Sequence, residues 1–378
     1  MHYPLKLTLA IIFTFAAVTV SLAPVEAITG PDQPVCGPGG SQYAHASVED
    51  HNYGKGDLQY WLFEPAAPKP ESAPVVIFNH GWGAMTPKGY RAWIDHIVRM
   101  GNIVIYPRYQ ASLRTKPSAM SSNAIAAVKD ALQRLKTENG HVRPQLDKLA
   151  VVGHSAGGQI SAGIAARAAS SGIPPIKAVM CVEPGKSWAP KPRQIPLDDV
   201  STMPATTLLL AVVGDRDNLV KDIDARRIIN ETIVIPAKNK NLVKIISDNH
   251  GNPPLVANHF CPSAPGGKSS GEPSAGEQND TKDVGPLRQL ITDRIGHHLQ
   301  EQAGRQTSAS NNVRGINALD YYCTWKLFDA LEDAAFYGKN RDYAFGNTPQ
   351  QRFMGKWSDG VPVKELVIQI GPDQAKVP

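Results

Sequence analysis

The chain has 378 residues, a hydrophobic fraction of 42%, and 39 Lys+Arg against 34 Asp+Glu, a net charge of +5. That is apolar enough for a sizeable buried sheet, and the mild charge contains no Lys/Arg-rich run, so nucleic-acid binding gains no support. At the N-terminus Lys6 precedes an almost wholly apolar run over residues 7–23, Pro24 breaks it, and Val25-Glu26-Ala27 follows as a small-x-small cleavage site. Residues 1–27 therefore read as a signal peptide, which implies a secreted or periplasmic protein with no stable membrane span after cleavage. Residues 28–378 read as a single domain. No feature specifies an oligomeric state.

In chain order, apolar runs predict strands over residues 75–78, 103–106, 149–152, 178–182, 208–213 and 242–246. Helical spacing or Ala-rich composition predicts helices over 90–100, 121–135, 159–169 and 222–230 between them. Strand–helix alternation of this kind predicts an α/β fold with a mostly parallel central sheet and helices on both faces. Residues 262–312, rich in Gly, Ser, Pro, Gln and charge, read as a flexible insertion. An amphipathic helix is expected over residues 318–328. A C-terminal extension over 338–378 contains a strand-like run at 365–370. The four cysteines, Cys36, Cys181, Cys261 and Cys323, match no zinc-ligand spacing. In an oxidising compartment an even count permits disulfides. Cys261 and Cys323 flank the insertion and are the expected pair, since a bridge there would close a long loop.

The strongest motif is Gly153-His154-Ser155-Ala156-Gly157, followed by Gly158. It lies between a predicted strand and a predicted helix, the context of a nucleophile elbow with Ser155 exposed on a strained turn. Small neighbours make room for that turn, and the helix N-terminus behind it favours developing negative charge. A serine hydroxyl needs a general base, and the base needs an orienting acid. The chain order Ser, acid, His places the acid in Gly214-Asp215-Arg216-Asp217, after the 208–213 strand. Asp217 is the preferred acid; either aspartate could instead cap the following helix. His250, a few residues past the 242–246 strand, is the preferred base. His259 is the alternative, which requires the loop to turn back through Pro253-Pro254. The backbone N–H groups of Ala156 and of Trp82, in Asn79-His80-Gly81-Trp82-Gly83, are the expected oxyanion donors. His80 reads as a loop-organising residue, and Trp188 as a possible wall of the acyl site. This chemistry asks for no cofactor and no metal.

Together these residues resemble the α/β-hydrolase superfamily across roughly residues 58–335. Within it the chain looks most like the branch of platelet-activating-factor acetylhydrolases, chlorophyllases and bacterial cutinases or polyester hydrolases. The resemblance implies an α/β-hydrolase fold and a serine esterase acting on a small-molecule or lipid-like ester. The branch's Gly-x-x-Asp pattern supports Asp217, and its aromatic residue after the loop glycine maps onto Trp82. The strand-to-histidine spacing of acetylhydrolases and chlorophyllases resembles that of His250, whereas His259-Phe260-Cys261-Pro262 resembles the His-Phe-x-Pro string of cutinases. The 262–312 insertion and the C-terminal extension depart from compact cutinases, so the substrate is not carried over. The rival readings are an amidase, peptidase, thioesterase or acyltransferase on the same residues, and a non-catalytic binding protein on a hydrolase scaffold.

Overall fold

The computed structural model describes residues 27–191, 193–264 and 315–369. The expected signal peptide, apart from Ala27, lies outside the described residues, as does nearly all of the expected insertion. Among the described residues no helix is long and apolar enough to cross a membrane.

Among the described residues nine strands form one sheet in the order β1-β2-β4-β3-β5-β6-β7-β8-β9. They are β1 (Ser47–Tyr53), β2 (Tyr60–Ala66), β3 (Ser72–Asn79), β4 (Ile103–Pro107), β5 (Arg143–His154), β6 (Ile176–Val182), β7 (Leu208–Gly214), β8 (Lys240–Ile245) and β9 (Val367–Gln369). The pairings from β4 through β3, β5, β6 and β7 to β8 are parallel. β1, β2 and β9 join antiparallel at the two edges. The central strands are apolar on both faces because helices cover both. Val76 and Phe78 point to one face, while Val75 and Ile77 point to the other. On the first face pack α1 (Arg91–Arg99), through Trp93, Ile94 and Ile97, and α5 (Trp325–Tyr337), through Leu327, Phe328 and Leu331. On the second pack α2 (Pro117–Thr137), α3 (Ala156–Ser171) and α4 (Ile223–Glu231), through residues such as Val128, Ile160 and Ile228. This is the α/β-hydrolase arrangement, a mostly parallel sheet flanked by helices on both faces.

The six expected strands and five expected helices all form, the last with a π-helical turn over Asp320–Thr324 leading into α5. The antiparallel pair β1–β2 is additional. β1 carries Glu49, Asp50, His51 and Asn52 at a largely exposed edge, so its composition carries no apolar alternation to announce a strand. In the C-terminal extension, the strand-like run shortens to β9.

The expected Cys261–Cys323 disulfide is not formed, and no other pair of the four cysteines is bridged. Both thiols are buried. That of Cys261 donates to Glu183 Oε1 at 3.6 Å. Cys323 is packed into the core under the first face, where burial pushes its thiol up to about 12 and keeps it protonated.

Candidate active site

All the sequence-predicted site residues except His250 converge at the C-terminal edge of the parallel strands. β5 ends at His154, α3 begins at Ala156, and Ser155 makes the turn between them at φ 56 and ψ −119. That left-handed backbone is costly for a non-glycine residue, about 1–3 kcal/mol. The surroundings enforce it. The Ser155 N–H donates to the Val182 carbonyl at 2.9 Å, and the Ser155 carbonyl accepts from Gly158 and Gln159. A Cβ on Gly157 would run into the backbone of Asn79 and His80, so a glycine there lets the elbow seat against the end of β3.

His259 Nε2 lies 2.9 Å from Ser155 Oγ, and its Nδ1 lies 2.8 Å from Asp217 Oδ2. Asp217 Oδ1 accepts the N–H groups of Leu219 and Val220 at 2.8 and 3.0 Å. Burial alone would raise this carboxyl. The hydrogen bond and charge of His259, together with those two amides, outweigh burial and hold it below the usual carboxylate range. All three side chains are nearly enclosed, at 9% exposure for Ser155, 5% for His259 and 4% for Asp217. Asp215, the other candidate acid, instead accepts a hydrogen bond from Ser247 Oγ at 2.5 Å.

His250, the preferred base from sequence, lies outside this line. Its Nε2 is 2.7 Å from Asp359 Oδ2 on a partly exposed surface. The reason is the path of the chain after β8. Asp248 and Leu255 exchange two 2.8 Å backbone hydrogen bonds, which fold the intervening residues into a hairpin with His250 near its tip. The chain then returns along the end of β7, where the Ala257 carbonyl accepts from Arg216 N–H at 3.0 Å. The Ala257 N–H donates to Ser247 Oγ. Two residues later His259 arrives over Asp217. Spacing from a strand end is a poor guide to reach when the loop doubles back.

The Asn79–Gly83 loop lies against the elbow. A Cβ on Gly81 would sit 3.0 Å from Tyr90 Oη, 3.2 Å from His154 Nδ1 and 3.5 Å from Ser155 Cβ. The amides on either side of Trp82 are engaged: Gly81 N–H donates to Tyr90 Oη at 3.0 Å, and Gly83 N–H to Gln110 Oε1 at 2.8 Å. Ala156 opens α3, where helix geometry gives the first N–H groups no intrahelical acceptor. His80 stacks on Tyr109 with ring centroids 4.1 Å apart, and its ring nitrogens lie 2.7 and 2.6 Å from the Gly81 and Arg108 carbonyls. Burial lowers it to about 4, against the pull of those two carbonyls, which favour the protonated ring. Trp188, on the loop after β6, is half exposed.

Three residues that the sequence reading gave no role complete the site. His154 Nε2 donates to the His259 carbonyl at 2.7 Å; a carbonyl only accepts, so Nδ1 is left to accept from the Tyr90 hydroxyl, also at 2.7 Å. Tyr90 Oη in turn accepts from Gly81 N–H. This relay joins the backbone of His259 to the loop of the oxyanion candidates. Burial lowers His154 to about 4, so the ring is neutral at pH 7.

The third is Glu183, wholly buried just past β6 at φ 46. Its Oε2 lies 3.5 Å from His259 Nδ1 and 3.6 Å from His154 Nε2, with no hydrogen-bond partner among the described residues. Burial pushes this carboxyl up to about 8, and the Asp217 charge adds to the rise against the pull of His259. A single carboxylate directly after an apolar strand was its one signal in the sequence. In the folded protein Glu183 keeps its proton to about pH 8, whereas the unfolded chain loses it near pH ~4.3. Its contribution to stability is therefore complete below that lower value and is lost as pH rises through the window. Thermal melts should show the wild type losing more melting temperature than Glu183→Gln between pH 5 and pH 8. Parallel losses would mean that Glu183 is ionised throughout.

The profile of the chlorophyllase family matches residues 60–211. The match covers the 79–83 loop and the elbow, and ends before Asp217 and both histidines. Esterase LipI of Mycobacterium tuberculosis is 34% identical over 135 residues, which cover 34% of this chain and 39% of that relative. The aligned region thus spans about two fifths of the length of the curated relative. With the fold and these matches together, the chain is an α/β-hydrolase-fold protein related to the chlorophyllases and to LipI-type bacterial esterases.

Proposed function

We propose that the protein is an exported serine hydrolase that cleaves carboxylic esters through an acyl-enzyme, with Ser155, His259 and Asp217 as its triad. The observation that carries this reading is the line from Asp217 through His259 to Ser155 Oγ, at 2.8 and 2.9 Å, ending on an elbow serine. Ser155 Oγ attacks the ester carbonyl as its proton passes to His259 Nε2. Asp217 fixes the tautomer and stabilises the imidazolium. The Trp82 and Ala156 N–H groups receive the oxyanion. Collapse of the tetrahedral intermediate expels the alcohol, which takes the proton from His259. Water then enters by the same steps in reverse, releasing the acid and restoring Ser155. Trp82 and Phe260, flanking the site in sequence, are exposed at 39% and 49%, which suits an apolar acyl group or a lipid-like ester. Export rests on the leader-like residues 1–27.

A fluorophosphonate probe tests the reading, because only an activated serine reacts. The expected result is one label per chain, mapped to Ser155, with hydrolysis of short p-nitrophenyl esters faster than that of matched anilides. An unlabelled, inactive folded protein would make the chain a binding scaffold. Faster cleavage of the anilides would make it an amidase.

A further inference from the structure

At the opposite end of the sheet, two imidazoles and a buried carboxylate converge. His51 is on β1, Glu64 is on the adjacent β2, and His141 lies in the turn entering β5. Ser155 follows the other end of β5, a strand of 12 residues, so the two places are roughly 40 Å apart. Glu64 has no exposed surface. Its Oε2 accepts Val142 N–H at 2.6 Å, and its Oε1 lies 2.5 Å from His141 Nδ1. His51 Nε2 faces the same Oε1 from 3.8 Å, beyond hydrogen-bond reach, and its side chain is 39% exposed. One donor atom from each residue falls within a 4.8 Å circle. Glu49, paired in register with Glu64 across β1 and β2, adds negative charge that feels both His51 and His141.

We propose that His51, Glu64 and His141 form a binding site for a zinc-class divalent ion, distinct from the hydrolase site, which ties the edge strand β1 to β2 and to the start of β5. Two nitrogens and one oxygen suit zinc or its neighbours, whereas calcium and magnesium take all-oxygen shells. In a tetrahedral site with bonds near 2.1 Å the donors stand about 3.4 Å apart. The separations of 2.5 and 3.8 Å straddle that value, and side-chain shifts of less than about 1 Å reach it. His141 Nε2 lies 3.0 Å from Tyr53 Oη. With Nδ1 on the ion, the neutral ring carries its proton on Nε2 and donates it to that hydroxyl, which fixes the ring as such outer partners do. The exposed flank of His51 admits the ion and leaves the fourth position to water.

Calorimetric titration of tag-free protein with zinc chloride tests this, alongside thermal melts. The wild type should bind one zinc in this cluster with Kd in the micromolar range or tighter. At a hundredfold excess over Kd its melting temperature should rise by about 3–5 °C, and magnesium or calcium should have no such effect. His51→Ala, a change at a partly exposed edge position, should fold, weaken that binding at least tenfold, remove the thermal gain, and leave zinc-free ester hydrolysis unchanged. The proposal is overturned if the wild type shows no saturable binding below about 100 μM. It is equally overturned if His51→Ala and His141→Ala both bind and melt like the wild type, which would place any ion elsewhere, as at His154, Glu183 and His259.

Discussion

Ser155→Ala should lower kcat for ester hydrolysis by at least about 10³-fold, and up to about 10⁶-fold, with little change in melting temperature. The backbone of the elbow is set by contacts that the side chain does not make: the Val182 carbonyl, the Gly158 and Gln159 amides, and the tight seat of Gly157 on Asn79. Alanine meets the same left-handed φ as serine, so the substitution changes the chemistry and not the fold. What it removes is the oxygen that His259 Nε2 faces. Residual rate would come from the oxyanion donors and from binding. Steady-state kinetics on a p-nitrophenyl ester, with a melt of the same sample, measures both. Near-normal turnover would remove Ser155 from the mechanism.

His259→Ala should be as damaging as Ser155→Ala, because triad members act as a unit and their losses do not add. The double variant should therefore be scarcely worse than either single one. Asp217 would be left buried without its partner, so this variant should also lose stability. His250→Ala should keep kcat within about threefold. Its contact with Asp359 is a solvent-screened surface pair, so the melting temperature should hardly change. If His250→Ala were the dead variant and His259→Ala retained turnover, the base would be His250 after a rearrangement of the 248–255 hairpin.

The parallel core was legible because each central strand is a short unbroken apolar run, and each intervening helix carries either a stripe or an alanine-rich face. The elbow was legible because its constraint is local: a small-residue string between strand and helix. What was not legible depends on long-range closure. β1 is polar and becomes a strand only by pairing with β2. The choice between His250 and His259 turns on the bridge between Asp248 and Leu255, a backbone event with no side-chain signature. The string at His259 was the better guide to which histidine meets Ser155 and Asp217, because it describes what surrounds the histidine and not its distance from a strand. Glu183 and Tyr90 escaped notice for the same reason, since their meaning lies in residues 76 and 64 positions away. The disulfide inference failed because flanking one segment does not orient two side chains.

The first face of the sheet is finished by a helix from the far end of the chain. Trp93 of α1 meets Phe328 of α5 with ring centroids 6.2 Å apart, and His96 Nε2 meets Asp329 at 2.9 Å across 233 residues of sequence. As the chain is synthesised, at about 5–20 residues per second, α1 therefore waits on the order of tens of seconds for the surface that covers it. Through that interval its apolar stripe is open to other nascent chains and to chaperones. The first face is accordingly covered only once α5 has emerged, and the span that matches the chlorophyllases, residues 60–211, does not cover that face by itself.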